Sequence, residues 1–258
     1  MAAAGPIAVL ADIHGNRWAL EAVVEDLRRR GIREMVNLGD CLYGPLDPSG
    51  TARILMELGI PTVRGNEDRI LLADPERHPD SPSLAFCRSE LGPAHRRWLA
   101  ELPFSAVHEA GFFLCHASPQ ADDAYLLWEV AAGGAGRRPP PAVAERLAGI
   151  AQPVVLCGHD HLPARLDLPD GRIVMDPGSV GLPAYRDDHP FPHTMEAGSP
   201  HARYAILRRS PSGWAAEFVA VPYDHESAAA AAERNGRPDW AHALRTGFAA
   251  EADAGIGP

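Results

Sequence analysis

The chain has 258 residues, of which 46% are hydrophobic and 22% are charged, a balance typical of folded globular proteins and not of disordered ones. Its 24 basic residues are all arginines, and 34 acidic residues give it a formal net charge of −10. This charge opposes broad binding to duplex nucleic acid, which needs a basic face. It does not oppose a local phosphate site, because arginine or a bound metal can hold phosphate inside an acidic protein.

Cysteine usage and the N-terminal sequence indicate the compartment. The four cysteines are isolated in a chain long enough to form a core without disulfides, which favours a reducing environment. The apolar run at residues 7–11 is too short for a signal peptide or a membrane span, and no basic region precedes it. We therefore expect a cytoplasmic protein that has no membrane partner.

Short apolar runs alternate with helix-prone stretches in the first quarter of the chain. The pattern predicts strands at residues 7–11, 34–38 and 60–63. It predicts helices between them at residues 17–30 and 51–58. Such alternation indicates β-α-β units and a largely parallel sheet.

The rest of the chain departs from this pattern. Proline-punctuated, helix-prone sequence at about 74–102 predicts a helical excursion over the sheet. Composition predicts a flexible loop at about 120–141 and an Ala-rich helical tail at about 226–258. We expect residues 1–258 to form one domain.

Six further strands are predicted in the second half of the chain. These strands are predicted at residues 112–115, 153–157, 164–168, 172–175, 204–207 and 215–221. The strands at 164–168 and 172–175 are expected to form a hairpin around an Asp-Gly turn, and the last two strands are expected to form a second, mostly antiparallel sheet.

Polar residues follow five of the predicted strands. Because the carboxyl ends of strands form one edge of an open α/β sheet, we expect these side chains to converge there. Carboxylate, imidazole and amide oxygen suit divalent Mn, Fe or Zn, whereas the lack of clustered cysteines argues against a structural zinc site. The seven candidate metal ligands are Asp12, His14, Asp40, Asn66, His116, His159 and His161.

The ordered motifs Asp-x-His, Gly-Asp, Gly-Asn, a lone His and Gly-His-x-His resemble those of the calcineurin-like metallophosphoesterases. The match spans roughly residues 7–180, and the segments 12–16 and 176–181 especially resemble the small bacterial phosphodiesterase branch. The resemblance implies an α/β fold in which two β-sheets form a sandwich flanked by helices, with a dinuclear metal site. It implies that one ion takes Asp12, His14, Asp40 and His161. It implies that the other takes Asp40, Asn66, His116 and His159.

A dinuclear site has a defined chemistry. Two cations about 3.5–4 Å apart activate a shared water and neutralise the attacking and leaving oxygens of a phosphoryl displacement. We therefore expect hydrolysis of a small phosphorylated substrate, a phosphodiester or a phosphorylated metabolite, by hydroxide held between two divalent ions. The alternative activity is that of a nucleotide-polyphosphate or phosphoprotein phosphatase, and the alternative class is a non-catalytic interaction module. The metal, the natural substrate and the oligomeric state stay open.

The sequence departs from the family pattern directly after the Gly-Asn motif. The family has a histidine at this position, whereas this chain has Glu67, followed by Asp68. A glutamate beside two cations is expected to have a lowered pKa and to be a poor acid at pH 7. Three explanations stay open: a good leaving group, a proton donor elsewhere, or weak catalysis. We place Arg186 on a phosphate oxygen and His189 or His193 near the leaving group. The candidate catalytic residues are Asp40, Asn66, Glu67, Asp68 and Arg186.

Overall fold

The structure, a computed structural model, describes residues 5–73, 81–211 and 213–251. Its strands are β1 (Ile7–Leu10), β2 (Glu34–Asn37), β3 (Ser105–Val107), β4 (Phe112–Cys115), β5 (Trp128–Ala131), β6 (Gly134–Arg137), β7 (Val154–Leu156), β8 (Ala164–Asp167), β9 (Ile173–Asp176), β10 (Ala184–Asp187), β11 (His193–Glu196), β12 (Ala202–Ser210) and β13 (Gly213–Val221). Its helices are α1 (Arg17–Arg29), α2 (Pro48–Leu58), α3 (Asn66–Leu72), α4 (Pro82–Glu90), α5 (Pro93–Glu101), α6 (Pro140–Arg146), α7 (His225–Arg234) and α8 (Pro238–Thr246).

Most strands belong to two mixed sheets. The first sheet has the order β13-β12-β1-β2, in which β1 and β2 are parallel and the other neighbours are antiparallel. The second has the order β3-β4-β7-β9-β8, in which β4, β7 and β9 are parallel and both edge strands are antiparallel. The hairpins β5-β6 and β10-β11 lie outside both sheets.

The two sheets pack face to face, and alternation along the strands explains how. In β1, Ile7 and Val9 share a core cluster with Phe112 of the second sheet, whereas Ala8 and Leu10 face the helices. All four residues of β1 are fully buried, which is why its sequence is a continuous apolar run and not an alternating one.

Helices cover the outer faces of the sandwich. Helix α1 buries Leu20, Val23 and Leu27 against the first sheet, and the Asn16 side chain caps its N-terminus by accepting the backbone amide of Ala19 at 3.1 Å. Helix α6 packs on the outer face of the second sheet. The predicted α/β fold, two sheets flanked by helices, is confirmed.

The predicted arrangement of strands within the sheets is wrong in two respects. The chain does not form a largely parallel sheet, because β12 pairs antiparallel with β1 and separates it from β13. The two late strands extend this first sheet and do not form a sheet of their own. Residues 60–63 make only an isolated bridge, between Asn37 and Thr62. Hydrophobic periodicity reports local structure and carries no information on which distant strand becomes the neighbour.

The flexible loop predicted at 120–141 is also wrong, since this segment contains the β5-β6 hairpin and the start of α6. Arginines order it: the Arg137 guanidinium lies 4.4 Å from the Trp128 ring centroid. Arg138 donates hydrogen bonds to the carbonyls of Leu126 at 3.2 Å and Trp128 at 2.7 Å. The Gly- and Pro-rich composition of this segment predicts a loop, because composition carries no information on these arginine contacts.

The helical segments have the following positions. Helices α4 and α5 lie within the excursion predicted at 74–102, and α7 and α8 lie mostly within the tail predicted at 226–258. Residues 74–80 and 252–258 are outside the described part of the chain. None of the helices in the described ranges has the length and apolar character needed to cross a bilayer.

Gly181 generates a test of the fold. It lies after β9 where the chain crosses the loop that follows β1, and a Cβ atom there would overlap the carbonyl group of Ile13. Gly181→Ala is therefore expected to lower the free energy of unfolding by about 1–3 kcal/mol, the usual cost of overpacking. Urea denaturation measures the change. Gly136→Ala is the control, because nothing lies within 4 Å of its Cβ position, and equal losses in both variants would contradict this packing.

Candidate metal centre

The loops that follow β1, β2, β4 and β7 meet at one edge of the sandwich. The amide of Asp12 donates to the carbonyl of Gly39 at 3.0 Å, and the amide of Gly158 donates to that of His116 at 2.6 Å. The Asp12 carboxylate accepts the amide of His159 at 3.1 and 3.2 Å, which joins the two sheets. The carboxyl ends of parallel strands from both sheets thus bring distant residues to one place.

Five of the predicted ligands have a left-handed backbone. Asp12, His14, Asp40, His159 and His161 have φ between 49° and 71°, and no other non-glycine residue in the described ranges has a positive φ. Such a conformation costs about 1–3 kcal/mol per residue and persists only where the surroundings enforce it. Its concentration at these five positions therefore indicates a functional site.

The first group of donors is Asp12, His14 and His161. The Nε2 atoms of the two histidines are 3.0 Å apart, and His161 Nε2 is 3.6 Å from Asp12 Oδ1. His161 donates its Nδ1–H to the carbonyl of Leu182 at 2.8 Å, which leaves a lone pair on Nε2. Burial, helped by His14, holds the pKa of His161 well below its usual value. Carboxylate and imidazole ligand atoms that converge in a buried place fit a divalent cation.

The second group is Asp40, His116 and His159. His116 donates Nδ1–H to the carbonyl of Leu38 at 2.8 Å, so its Nε2 is the free ligand atom. That atom lies 3.3 Å from Asp40 Oδ2 and 3.0 Å from Asn66 Oδ1. When the His116 ring is neutral, Nε2 and the two side-chain oxygens are acceptors that face one another, and such oxygen and nitrogen ligands fit Mn, Fe or Zn.

A third group links the other two, because it contains His14, Asp40 and Glu67. Glu67 Oε2 lies 3.0 Å from His14 Nδ1, and the Glu67 amide donates to Asp40 Oδ1 at 2.9 Å. His14 Nδ1 is also 3.2 Å from the carbonyl oxygen of Tyr43. The three groups therefore form one continuous cluster.

Burial and neighbouring charges shift the pKa values of the carboxylates. Burial raises the pKa of Asp12 to about 7, and the charge of His116 opposes this only in part. Burial would also raise the pKa of Asp40, but His116 outweighs it and holds the pKa well below its usual range. Burial raises the pKa of Glu67 to about 6. The protein surroundings therefore shift this pKa in the direction opposite to the lowering expected from nearby cations.

The histidines of the cluster shift in opposite directions. Burial would lower the pKa of His14, but Glu67 outweighs burial and raises it to about 9. Asp40 does the same for His116 and raises its pKa to about 10. For His159, burial and the positive charge of His116 together lower the pKa to about 3. The cluster therefore favours positive charge next to Asp40 and Glu67.

Asp68, a predicted catalytic residue, lies outside the cluster. Its fully buried carboxylate accepts the backbone amides of Cys41 at 3.0 Å, Leu42 at 3.4 Å and Gly65 at 3.2 Å. These bonds hold the loop after β2 against the start of α3. Backbone amides bind both oxygens of Asp68, so the structure shows it supporting these two segments, and its catalytic role stays a prediction.

Arg186 also lies away from the predicted position. It pairs with Thr194 in the β10-β11 register, and the preceding Tyr185 packs against His161 with ring centroids 4.6 Å apart. Since successive side chains of a strand point to opposite faces, Arg186 faces away from the cluster, and it is exposed. This orientation gives no support to the predicted phosphate contact, which stays a prediction; the sequence could not show which face of the strand Arg186 occupies.

Two tyrosines that the sequence analysis missed contact the cluster. The ring of Tyr125 lies 4.7 Å from that of His159, and its hydroxyl is 2.6 Å from the hydroxyl of Tyr185. Buried His193 donates Nδ1–H to a backbone carbonyl at 2.8 Å, so its Nε2 accepts the Tyr125 hydroxyl at 2.9 Å. His189, by contrast, has a side chain 90% exposed. Neither tyrosine belongs to a recognisable motif, and Tyr125 falls in the segment predicted as a loop, so no sequence signal indicated their positions.

Known proteins resemble this chain along most of its length. A family model described as the calcineurin-like phosphoesterase superfamily domain matches residues 6–195. The chain is 26% identical over 255 residues to the uncharacterized protein MJ0912 of Methanocaldococcus jannaschii, a match that covers 91% of this chain and 94% of that protein.

Solved structures share the fold. The chain is 22% identical to a metallophosphoesterase from Sphaerobacter thermophilus, with a TM-score of 0.72 over 93% of this chain and 98% of that one. It is 21% identical to hypothetical protein PH1004 from Pyrococcus horikoshii OT3, with a TM-score of 0.73 over 95% and 99% of the two chains. At these identities the similarity establishes the fold alone. The family match covers well over half of the sequence, and the chain therefore belongs to the calcineurin-like phosphoesterase superfamily.

Proposed function

We propose that the chain hydrolyses phosphodiesters or small phosphorylated metabolites at a pair of divalent cations. The observation that carries the proposal is the convergence of carboxylate and imidazole ligand atoms, within 4.8 Å of one another in each group, in groups that His14 and Asp40 join. In this proposal, one ion is held by Asp12, His14, Asp40 and His161. The other is held by Asp40, Asn66, His116 and His159.

The chain's own residues prepare the site for this reaction. When bound, two divalent cations supply an activated water and neutralise charge on the phosphoryl oxygens. Asp12 and Asp40 are at most 2% exposed, so their charges act where water does not screen them. Asn66, Glu67 and His159 are only half-buried, and a substrate phosphate would approach from their side.

The surroundings of the site favour a substrate with a good leaving group. Glu67 is paired with His14, and His193 Nε2 is occupied by the hydroxyl of Tyr125. His189 is exposed and lies 3.9 Å from Asp187. The residues considered as proton donors are therefore engaged elsewhere or point to solvent. An aryl or anhydride leaving group needs no such donor, which keeps nucleotide polyphosphates as the alternative substrate class.

Asp40 provides the most direct test by mutation. Because this carboxylate is proposed to serve both ions, Asp40→Asn is expected to lower the rate of bis-p-nitrophenyl phosphate hydrolysis about a hundredfold or more. Asp170→Asn is the control, since Asp170 is exposed in the β8-β9 turn, where it binds Arg172 at 2.8 Å. Retention of the full rate by folded Asp40→Asn would contradict the shared-ligand role.

Metal binding is expected to release protons and to strengthen as pH rises. The pKa values of His14, about 9, and His116, about 10, mean that both rings are positively charged imidazolium groups at pH 7 before a metal binds, whereas a cation binds only neutral imidazole. Affinity for Mn²⁺ should therefore increase from pH 6 to pH 9. Calorimetric titration in buffers of different ionisation enthalpy counts the released protons. Buffer-independent heats and a flat pH dependence would contradict the expectation that a cation displaces protons from these two histidines.

Substrate preference separates the candidate functions. After chelation and restoration with Mn, Fe or Zn in turn, we expect bis-p-nitrophenyl phosphate to be hydrolysed faster than p-nitrophenyl phosphate. Simple alkyl phosphate esters should react far more slowly, because their leaving groups need a proton. A faster monoester reaction would favour the phosphatase alternative. Absence of hydrolysis in fully metal-loaded protein would favour the interaction module.

A further inference from the structure

His14 is held differently from two other histidines of the cluster. His116 and His161 each donate Nδ1–H to a backbone carbonyl at 2.8 Å. His14 Nδ1 lies between two acceptors, the Tyr43 carbonyl at 3.2 Å and the Glu67 carboxylate at 3.0 Å. The orientation of the His14 ring is therefore not fixed by one short hydrogen bond to a backbone carbonyl. Packing by neighbouring side chains has to contribute more to holding this ring than it does for His116 and His161.

Trp240 of α8 supplies that packing. Its ring meets the His14 ring nearly edge-on, with centroids 5.8 Å apart and planes at 79°, and it lies 6.4 Å from the Tyr43 ring. Only 7% of Trp240 is exposed. Gly44 lies directly against the indole, since a Cβ atom at that position would come within 2.9 Å of Trp240 Cζ3. The indole thus fills the space beside His14 and the loop that follows β2.

Trp240 is itself fixed by the helical pair. Asn235, between α7 and α8, donates to the carbonyl of Pro45 at 2.9 Å and anchors the pair on the loop after β2. The Arg237 guanidinium lies 5.6 Å from the Trp240 ring centroid and is held by Asp239 at 2.6 and 2.9 Å. Trp240 also belongs to an apolar cluster with Leu182 and the alanines of α7. A ring held on several sides can hold its neighbour in turn.

We propose that Trp240 is a positioning residue for His14, and that the α7-α8 pair completes the support of the Asp12, His14 and His161 group. The inference rests on the proposed function, in which this group binds one of two cations. Helices α7 and α8 lie beyond residues 6–195, the part that the family model matches. The C-terminal helices thus add to the metal centre a support that the matched segment does not contain.

Matched tryptophan variants test the proposal through metal binding. Trp214 is the control: it is 5% exposed and packs on Phe112, with ring centroids 4.7 Å apart, in the core between the two sheets. Wild type and Trp214→Leu are expected to bind two Mn²⁺ ions with similar affinities. Trp240→Leu is expected to weaken one of the two ions about 10–100-fold, as loss of a residue that orients a ligand does. Trp240→Phe should recover most of this affinity because it restores an aromatic edge.

Calorimetry measures the affinity of each variant for Mn²⁺, and elemental analysis measures how many ions each variant binds. Trp240→Met keeps much of the side-chain volume without a rigid ring, and it should weaken the same ion if Trp240→Leu does not fold. Wild-type affinity for both ions in the Leu or the Met variant would overturn the role of Trp240. Equal weakening of both ions, or the same loss in Trp214→Leu, would also overturn it. Failure of the wild type to bind any ion would instead overturn the proposed function.

Discussion

The burial of carboxylates beside imidazole lone pairs is the constraint on which the rest of the structure depends. Asp12 and Asp40 lie in a place that water hardly reaches, where an uncompensated charge is costly. The raised pKa values of His14 and His116 show that the surroundings favour positive charge at the same place. A divalent cation supplies this positive charge in place of protons on the two histidines, and the imidazole nitrogens are then its ligands. The arrangement is therefore understood as a binding site and not as part of a stabilising core.

The two sheets make this arrangement attainable. Parallel strands in each sheet end at the same edge, and the bond from the His159 amide to the Asp12 carboxylate joins those ends across the sandwich. Asp68 fixes the backbone around Asp40 through three amides and so helps to maintain its left-handed conformation. Backbone strain of this kind is sustained only by a rigid framework, which here is two buried sheets with helices on their outer faces. Fold stability and site geometry are thus coupled.

The fold class and the convergence of the candidate ligands could be predicted from the sequence, because each ligand segment follows a short apolar run or a glycine at the end of one. Strand order could not, since β1 pairs with β12 from the far end of the chain and local periodicity does not encode such partners. The orientation of Arg186 could not be predicted either, because a shift of one residue along a strand reverses the face, and Tyr185 occupies the inner position. Trp240 lies in a segment whose composition predicts only helix, so its contact with His14 needed the tertiary structure.

The central claim is that two cations occupy the edge where the sheets meet. Anomalous diffraction from crystals grown with Mn²⁺ tests it most directly, because it locates the metal without reference to activity. We expect two peaks about 3.5–4 Å apart, with Asp40 between them, His161 beside one and His116 beside the other. Crystals saturated with Mn²⁺ that show no peak among these residues would contradict the claim.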